Sequence, residues 1–111
     1  SFNTFFPKEA NGGTRVFTQE KPGFAEARWF EAGTQVATLA LSDAANDAPV
    51  KSKFDTATEK LGEFPVVTVG KNQSAVLVAG KYQVKVSSPT LDHAARRALL
   101  EKFDLAGLAK L

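Results

Sequence analysis

The stretch FAEARWFEAGTQVATLALS, residues 24–42, alternates apolar with polar residues on both sides of a Glu-Ala-Gly tripeptide. A repeat of two is the mark of a strand with one buried face, so the stretch predicts a hairpin. The loop decides which side chains are buried, because a one-residue slip turns the whole apolar set towards solvent. Ala32 is a poor residue for the positive φ of a two-residue type I′ loop, whereas Gly33 suits a three-residue loop that ends in a glycine bulge. That loop pairs Phe30 with Thr34 and sets Glu26 opposite Thr38. One face then carries Ala25, Ala27, Trp29, Ala37, Leu39 and Leu41, and the other carries Glu26, Arg28, Thr34 and Thr38.

VAGKYQVKVSS, residues 78–88, repeats the pattern. If both hairpins turn on Ala-Gly, Gly33 matches Gly80, and the inward Ala37 and Leu39 match Val84 and Val86 without a gap. Tyr82 then also points inward, while Gln83 and Lys85 point outward. A strand at 14–20 enters the first hairpin through Pro22-Gly23, a type II turn pair. Another strand at 64–70 enters the second through the turn Lys71-Asn72-Gln73-Ser74.

Two helices complete the reading. Val50, Phe54, Ala57 and Leu61 fall on one helical face, with Asp47 or Ala48 at the start, Pro49 in the first turn and Gly62 past the end. A second helix starts at Ser88 or Thr90 and carries a stripe of Leu91, Ala95, Ala98, Leu99 and Phe103, followed by a short helical turn bent near Gly107. Strand-strand-strand-helix therefore occurs twice. The expected fold is α+β, a two-layer sandwich of about six mainly antiparallel strands with two helices on one face. It divides into an N-terminal arm (1–13) and two βββα halves of a pseudo-repeat (14–62 and 63–111). A chain of 111 residues, 43% hydrophobic, is enough for one such core and too short for two domains.

Functional expectations start from the outward face. Glu26, Arg28, Thr38, Gln83 and Lys85 share it with Phe24, Phe30, Val36 and Leu77, more apolar surface than a solvated face carries. Its cover is expected from the arm's Phe2, Phe5 and Phe6, from a second copy of the chain, or from a ligand. His93, the only histidine, shares a helical face with Arg96 and Arg97, a grouping suited to an anion, with His93 as general base. The absence of cysteine excludes disulfides, thiolate chemistry and cysteine-based metal sites. No metal-ligand spacing surrounds His93, so no metal and no cofactor are expected. Val-Gly-Lys-Asn-Gln-Ser (69–74) lacks the spacing of a phosphate-binding loop.

A net charge of +2 with scattered lysines and arginines gives no strong nucleic-acid signal. No apolar run is long enough for a transmembrane segment. The chain opens on Ser1 without methionine, and processing of an export leader is the expectation, which places the domain in the periplasm or outside the cell. The expected function is a small non-catalytic binding domain that uses its exposed sheet face or a strand edge for a protein or small-ligand partner. Arg28, Phe30, Gln83, Lys85, His93, Arg96 and Arg97 are its candidate binding residues. The alternatives are a small enzyme acting on an anionic substrate around His93, Arg96 and Arg97, and a homodimeric structural module.

Overall fold

A computed structural model describes residues 2–111. Seven strands form one antiparallel sheet: β1 (Gly13–Lys21), β2 (Phe24–Glu31), β3 (Thr34–Asp43), β4 (Glu59–Leu61), β5 (Phe64–Val69), β6 (Gln73–Val78) and β7 (Tyr82–Ser87). The order across the sheet is β1-β2-β3-β7-β6-β5-β4. Two meanders thus run outward from a central pair in which Leu39 lies opposite Val86 and Leu41 opposite Val84. The helices are α1 (Ala48–Ser52), α2 (His93–Glu101) and α3 (Leu105–Ala109), and Phe2–Phe5 form a 3₁₀ turn. The α+β sandwich is as the sequence predicts, with seven strands for about six, and α2 and α3 cover one face.

The first hairpin turns differently from expectation. Glu31 lies opposite Thr34, and both loop residues, Ala32 (φ 51°) and Gly33 (φ 82°), adopt the left-handed conformation. That is the pattern of a type I′ loop, whose twist matches the flanking strands well enough to hold an alanine there. A bulge follows: Phe30 faces Gln35 and Trp29 faces Ala37, which leaves Val36 extra. The register ends two residues from the expected one, with Arg28 opposite Thr38 and Glu26 opposite Ala40. A shift of two keeps the paired side chains beyond the bulge on their faces, so Ala25, Ala27, Trp29, Ala37, Leu39 and Leu41 are all buried as predicted. The bulged Val36 packs against the main core, not on the outward face.

The segment 48–61 is not one helix. Asp47 caps it, its side chain accepting from the Val50 N–H at 3.1 Å, but α1 stops at Ser52. Thr56 and Thr58 lose rotamer freedom in a helix. The residues beyond find a strand partner instead, with Leu61 opposite Phe64 across a tight turn at Gly62 (φ 61°). The apolar stripe is thereby split. Leu61 joins the main core, whereas Phe54 packs on the other side of the sheet with Ala75 and Leu77.

The main core lies between the sheet's inner face and α2 with α3. Trp29, Leu39, Leu41, Val76, Val78, Val84 and Val86 meet Leu99, Leu100 and Leu108 there. Asp92 caps α2 and Asp104 caps α3, each accepting a backbone N–H at 2.9 Å. Ser88 is not a helix cap. Its Oγ donates to the Val36 carbonyl at 2.6 Å and accepts from the Leu91 N–H at 2.9 Å, which ties the end of β7 to the bulge.

α2 packs on β6 and β7 and leaves the β1–β2 end of the inner face to the arm. The Phe6 ring sits 5.0 Å from Phe17 and 4.9 Å from Phe103, and Phe2 meets Tyr82 edge-on at 5.7 Å. The arm does cover an aromatic surface. The surface is the helix-side face, not the outward one.

Candidate functional site

α2 brings its three candidate residues to a chain of polar contacts. Arg96, 3% exposed, donates through Nε to Ser74 Oγ at 2.8 Å and through Nη1 to the carbonyls of Leu91 (2.7 Å) and Lys71 (3.1 Å). Ser74 is fully buried on the inner side of β6. A guanidinium can only donate, so the Ser74 hydroxyl accepts from Arg96 and its own proton is available to His93 Nδ1, 2.8 Å away. On the other side of the ring the Glu59 carboxylate can only accept, so His93 Nε2 donates to Glu59 Oε1 at 2.7 Å. Arg97 closes the chain: its Nε lies 2.7 Å from Glu59 Oε2, and its other nitrogens donate to Glu101 Oε1 and the Lys60 carbonyl.

A serine, a histidine and a carboxylate in line invite comparison with a nucleophile relay. The geometry opposes it. A nucleophile must be reachable and must have its base free to turn towards substrate, yet Ser74 has no exposed surface and both ring nitrogens of His93 are engaged. The chain instead joins α2 to β6 and to the short edge strand β4. Among the described residues, no group of three or more His, Asp and Glu side chains gathers to hold a metal ion.

His93→Ala removes two contacts but leaves Ser74 its bond from Arg96 and Glu59 its ion pair with Arg97. It is expected to cost about 1 kcal/mol, a fall in Tm of roughly 4–8 °C for a domain of this size, read by thermal unfolding. A loss above about 3 kcal/mol, the scale of a buried partner removed from its charge, would show that His93 holds the fold.

The outward face is a separate region. Val16, Arg28 and Thr38 form one row across β1, β2 and β3, flanked by Thr14 with Phe30 on one side and by Glu26 with Ala40 and Lys85 on the other. Val16 is 54% exposed and Arg28 is exposed, while Phe30 is half-buried. Farther along, Gln83 lies beside Leu77, which is covered by Phe54. Gln83 is buried, and its Oε1 has no hydrogen-bond partner among the described residues. Burial, then the neighbouring Lys85, holds the Lys53 ammonium below the ordinary lysine range, partly offset by Asp47.

The seven candidate residues therefore do not form one site. Arg28, Phe30 and Lys85 share the outward face, Gln83 is covered there, and His93, Arg96 and Arg97 lie across the sheet. Ser74 and Glu59, which sequence reasoning did not single out, are 19 and 34 residues from His93. The one local sign of Ser74 is its inward parity with Val76 and Val78.

One edge strand of the sheet is capped at its start and the other is short. Gly13 exchanges backbone hydrogen bonds with Ala10, Glu9 accepts from the Arg15 N–H at 3.0 Å, and β4 spans only Glu59–Leu61. No helix among the described residues is long and apolar enough to cross a membrane. Fold and sites together define a small antiparallel α+β sandwich, closed on its helix side and half-open on the other. Comparison with protein-family models, curated proteins and solved structures finds no match.

Proposed function

We propose that the domain is a non-catalytic binding module that docks a protein or small-ligand partner on the outer face of β1, β2 and β3. The observation that carries this reading is the unequal cover of the sheet. The inner face is closed by α2, α3 and the arm, whereas on the outer face Phe54 packs over Ala75 and Leu77. The remainder presents Val16 beside Arg28 and Phe30, and Arg28 has no ion pair among the described residues. An arginine beside apolar and aromatic side chains is the composition of interface anchors. The capping of the β1 edge at Gly13 and Arg15 and the shortness of β4 favour the face over the edge. The bonds of Arg96 Nε and Nη1 to neutral acceptors and the ion pairs of Arg97 with Glu59 and Glu101 speak against an anionic substrate there. The proposal includes a place of work outside the cytoplasm, periplasmic or extracellular, which fractionation of cells carrying the full gene tests.

The double variant Val16→Glu with Arg28→Glu tests the face. Both residues are exposed, so unfolding stability is expected to stay within about 1 kcal/mol of wild type. Affinity for a partner purified from the native source, or self-association measured by sedimentation, is expected to fall at least about ten-fold. Unchanged binding by this variant, or loss of binding on His93→Ala instead, would reject the face as the site.

A further inference from the structure

The segment Ala45–Thr58 crosses the outer face with little to hold it there. The Ala45 N–H bonds the Asp43 carboxylate, the Val50 N–H bonds Asp47, and Lys51 Nζ donates to the Ala45 carbonyl. Ser52, Phe54, Asp55 and Ala57 likewise donate only to residues of the segment itself. Apart from the bond to Asp43 at the end of β3, these bonds run within the segment and fix its shape, and among the described residues none ties the stretch beyond Ala45 to the sheet. Phe54 is its one fully buried side chain, packed on Ala75, Leu77 and Val67, while Val50, Lys51, Lys53 and Ala57 are half-buried.

Two features oppose this closed position. The buried Gln83 Oε1 has no hydrogen-bond partner among the described residues, a desolvation cost that exposure would relieve. Lys53 is held half-buried near Lys85, offset in part by the stacking of its ammonium 5.6 Å from the Phe54 ring. Both ends are anchored, at Ala44, whose N–H donates to the Lys81 carbonyl at 2.6 Å, and at β4. The segment can therefore rise as a loop without detaching.

We propose that Ala45–Thr58 is a displaceable cover, and that its opening exposes Ala75, Leu77 and Gln83 as an extension of the open face of β1–β3. Use of that extension by a partner rests on the reading of the outer face as a binding surface. The opening itself does not, and it is tested without any partner.

The chain has no cysteine, so an introduced one is its sole thiol. Leu77→Cys lies under the cover, and Val76→Cys, its neighbour in β6, lies in the main core. Under native conditions Leu77→Cys is expected to react with a thiol reagent at least about 100-fold faster than global unfolding of the same variant allows, as a local opening would permit. Val76→Cys is expected to react only at its global unfolding rate. Adding Gln83→Leu, which removes the unpaired carbonyl, is expected to slow labelling of Leu77→Cys at least about ten-fold by tightening the closed state. Equal protection of the two cysteines, both following global unfolding, overturns the proposal, as does faster or unchanged labelling with Gln83→Leu.

Discussion

Arg96→Ala is expected to lower the unfolding free energy by about 3 kcal/mol, because each buried acceptor left unpaired costs on the order of 1–3 kcal/mol. The guanidinium reaches Ser74 Oγ, the Leu91 carbonyl and the Lys71 carbonyl, joining β6, the β5–β6 loop and the entry to α2. All three partners are neutral, so the buried charge is compensated by charge-assisted hydrogen bonds and not by a counter-ion. Arg96→Met keeps the apolar stem in place and is expected to recover about 1 kcal/mol of the loss, since it restores packing without a charge to desolvate. Arg96→Lys is expected to fall between the two, because one ammonium cannot reproduce the planar fork across three acceptors. Chemical denaturation gives the order. If Arg96→Ala stays within about 1 kcal/mol of wild type and instead weakens binding of an anion, Arg96 is a ligand group and the anionic-substrate reading returns.

Arg96 also shows where the sequence was informative and where it stopped. Its helical spacing with His93 and Arg97 is local and legible. What the three side chains touch is decided by β4 and β6, brought against α2 by the sheet order. Ser74 carries the clearest missed sign, a polar residue at an inward strand position.

The same division runs through the fold. Alternation alone assigns Trp29, Leu39 and Leu41 to the core, because it depends only on the strand period. The loop at Ala32 and the bulge at Val36 are not visible in that period, yet their combined shift is even and spares the assignment. Val50, Phe54, Ala57 and Leu61 make a helical pattern that is outcompeted, since Leu61 gains a strand partner in Phe64 and the threonines between weaken the helix. The Phe-rich arm is recognisable as a cover from composition. Which face it covers depends on α2 spanning only β6 and β7, a matter of relative size that no local pattern encodes.

That placement makes deletion of residues 1–10 the most damaging change considered. Phe6 is 2% exposed between Phe17 and Phe103, and Pro7 beside it is fully buried. Truncating a buried phenylalanine costs about 3–5 kcal/mol, and Phe6→Ala alone is expected to fall in that range. The deletion removes more: the Phe6 and Pro7 carbonyls that accept from Arg15 Nη1, the Phe5 carbonyl that accepts from the Asp104 N–H at 2.9 Å, and the Glu9 and Ala10 caps on β1. A domain of this kind has about 5–15 kcal/mol in total, so the shortened chain is expected to lose cooperative unfolding, with a red-shifted emission from Trp29, now 1% exposed. The unprotected β1 edge is expected to promote self-association at the same time. A stable monomer with unchanged Trp29 emission would mean that the arm closes nothing. The inner face would then be open as well, and the unequal cover on which the binding reading rests would disappear.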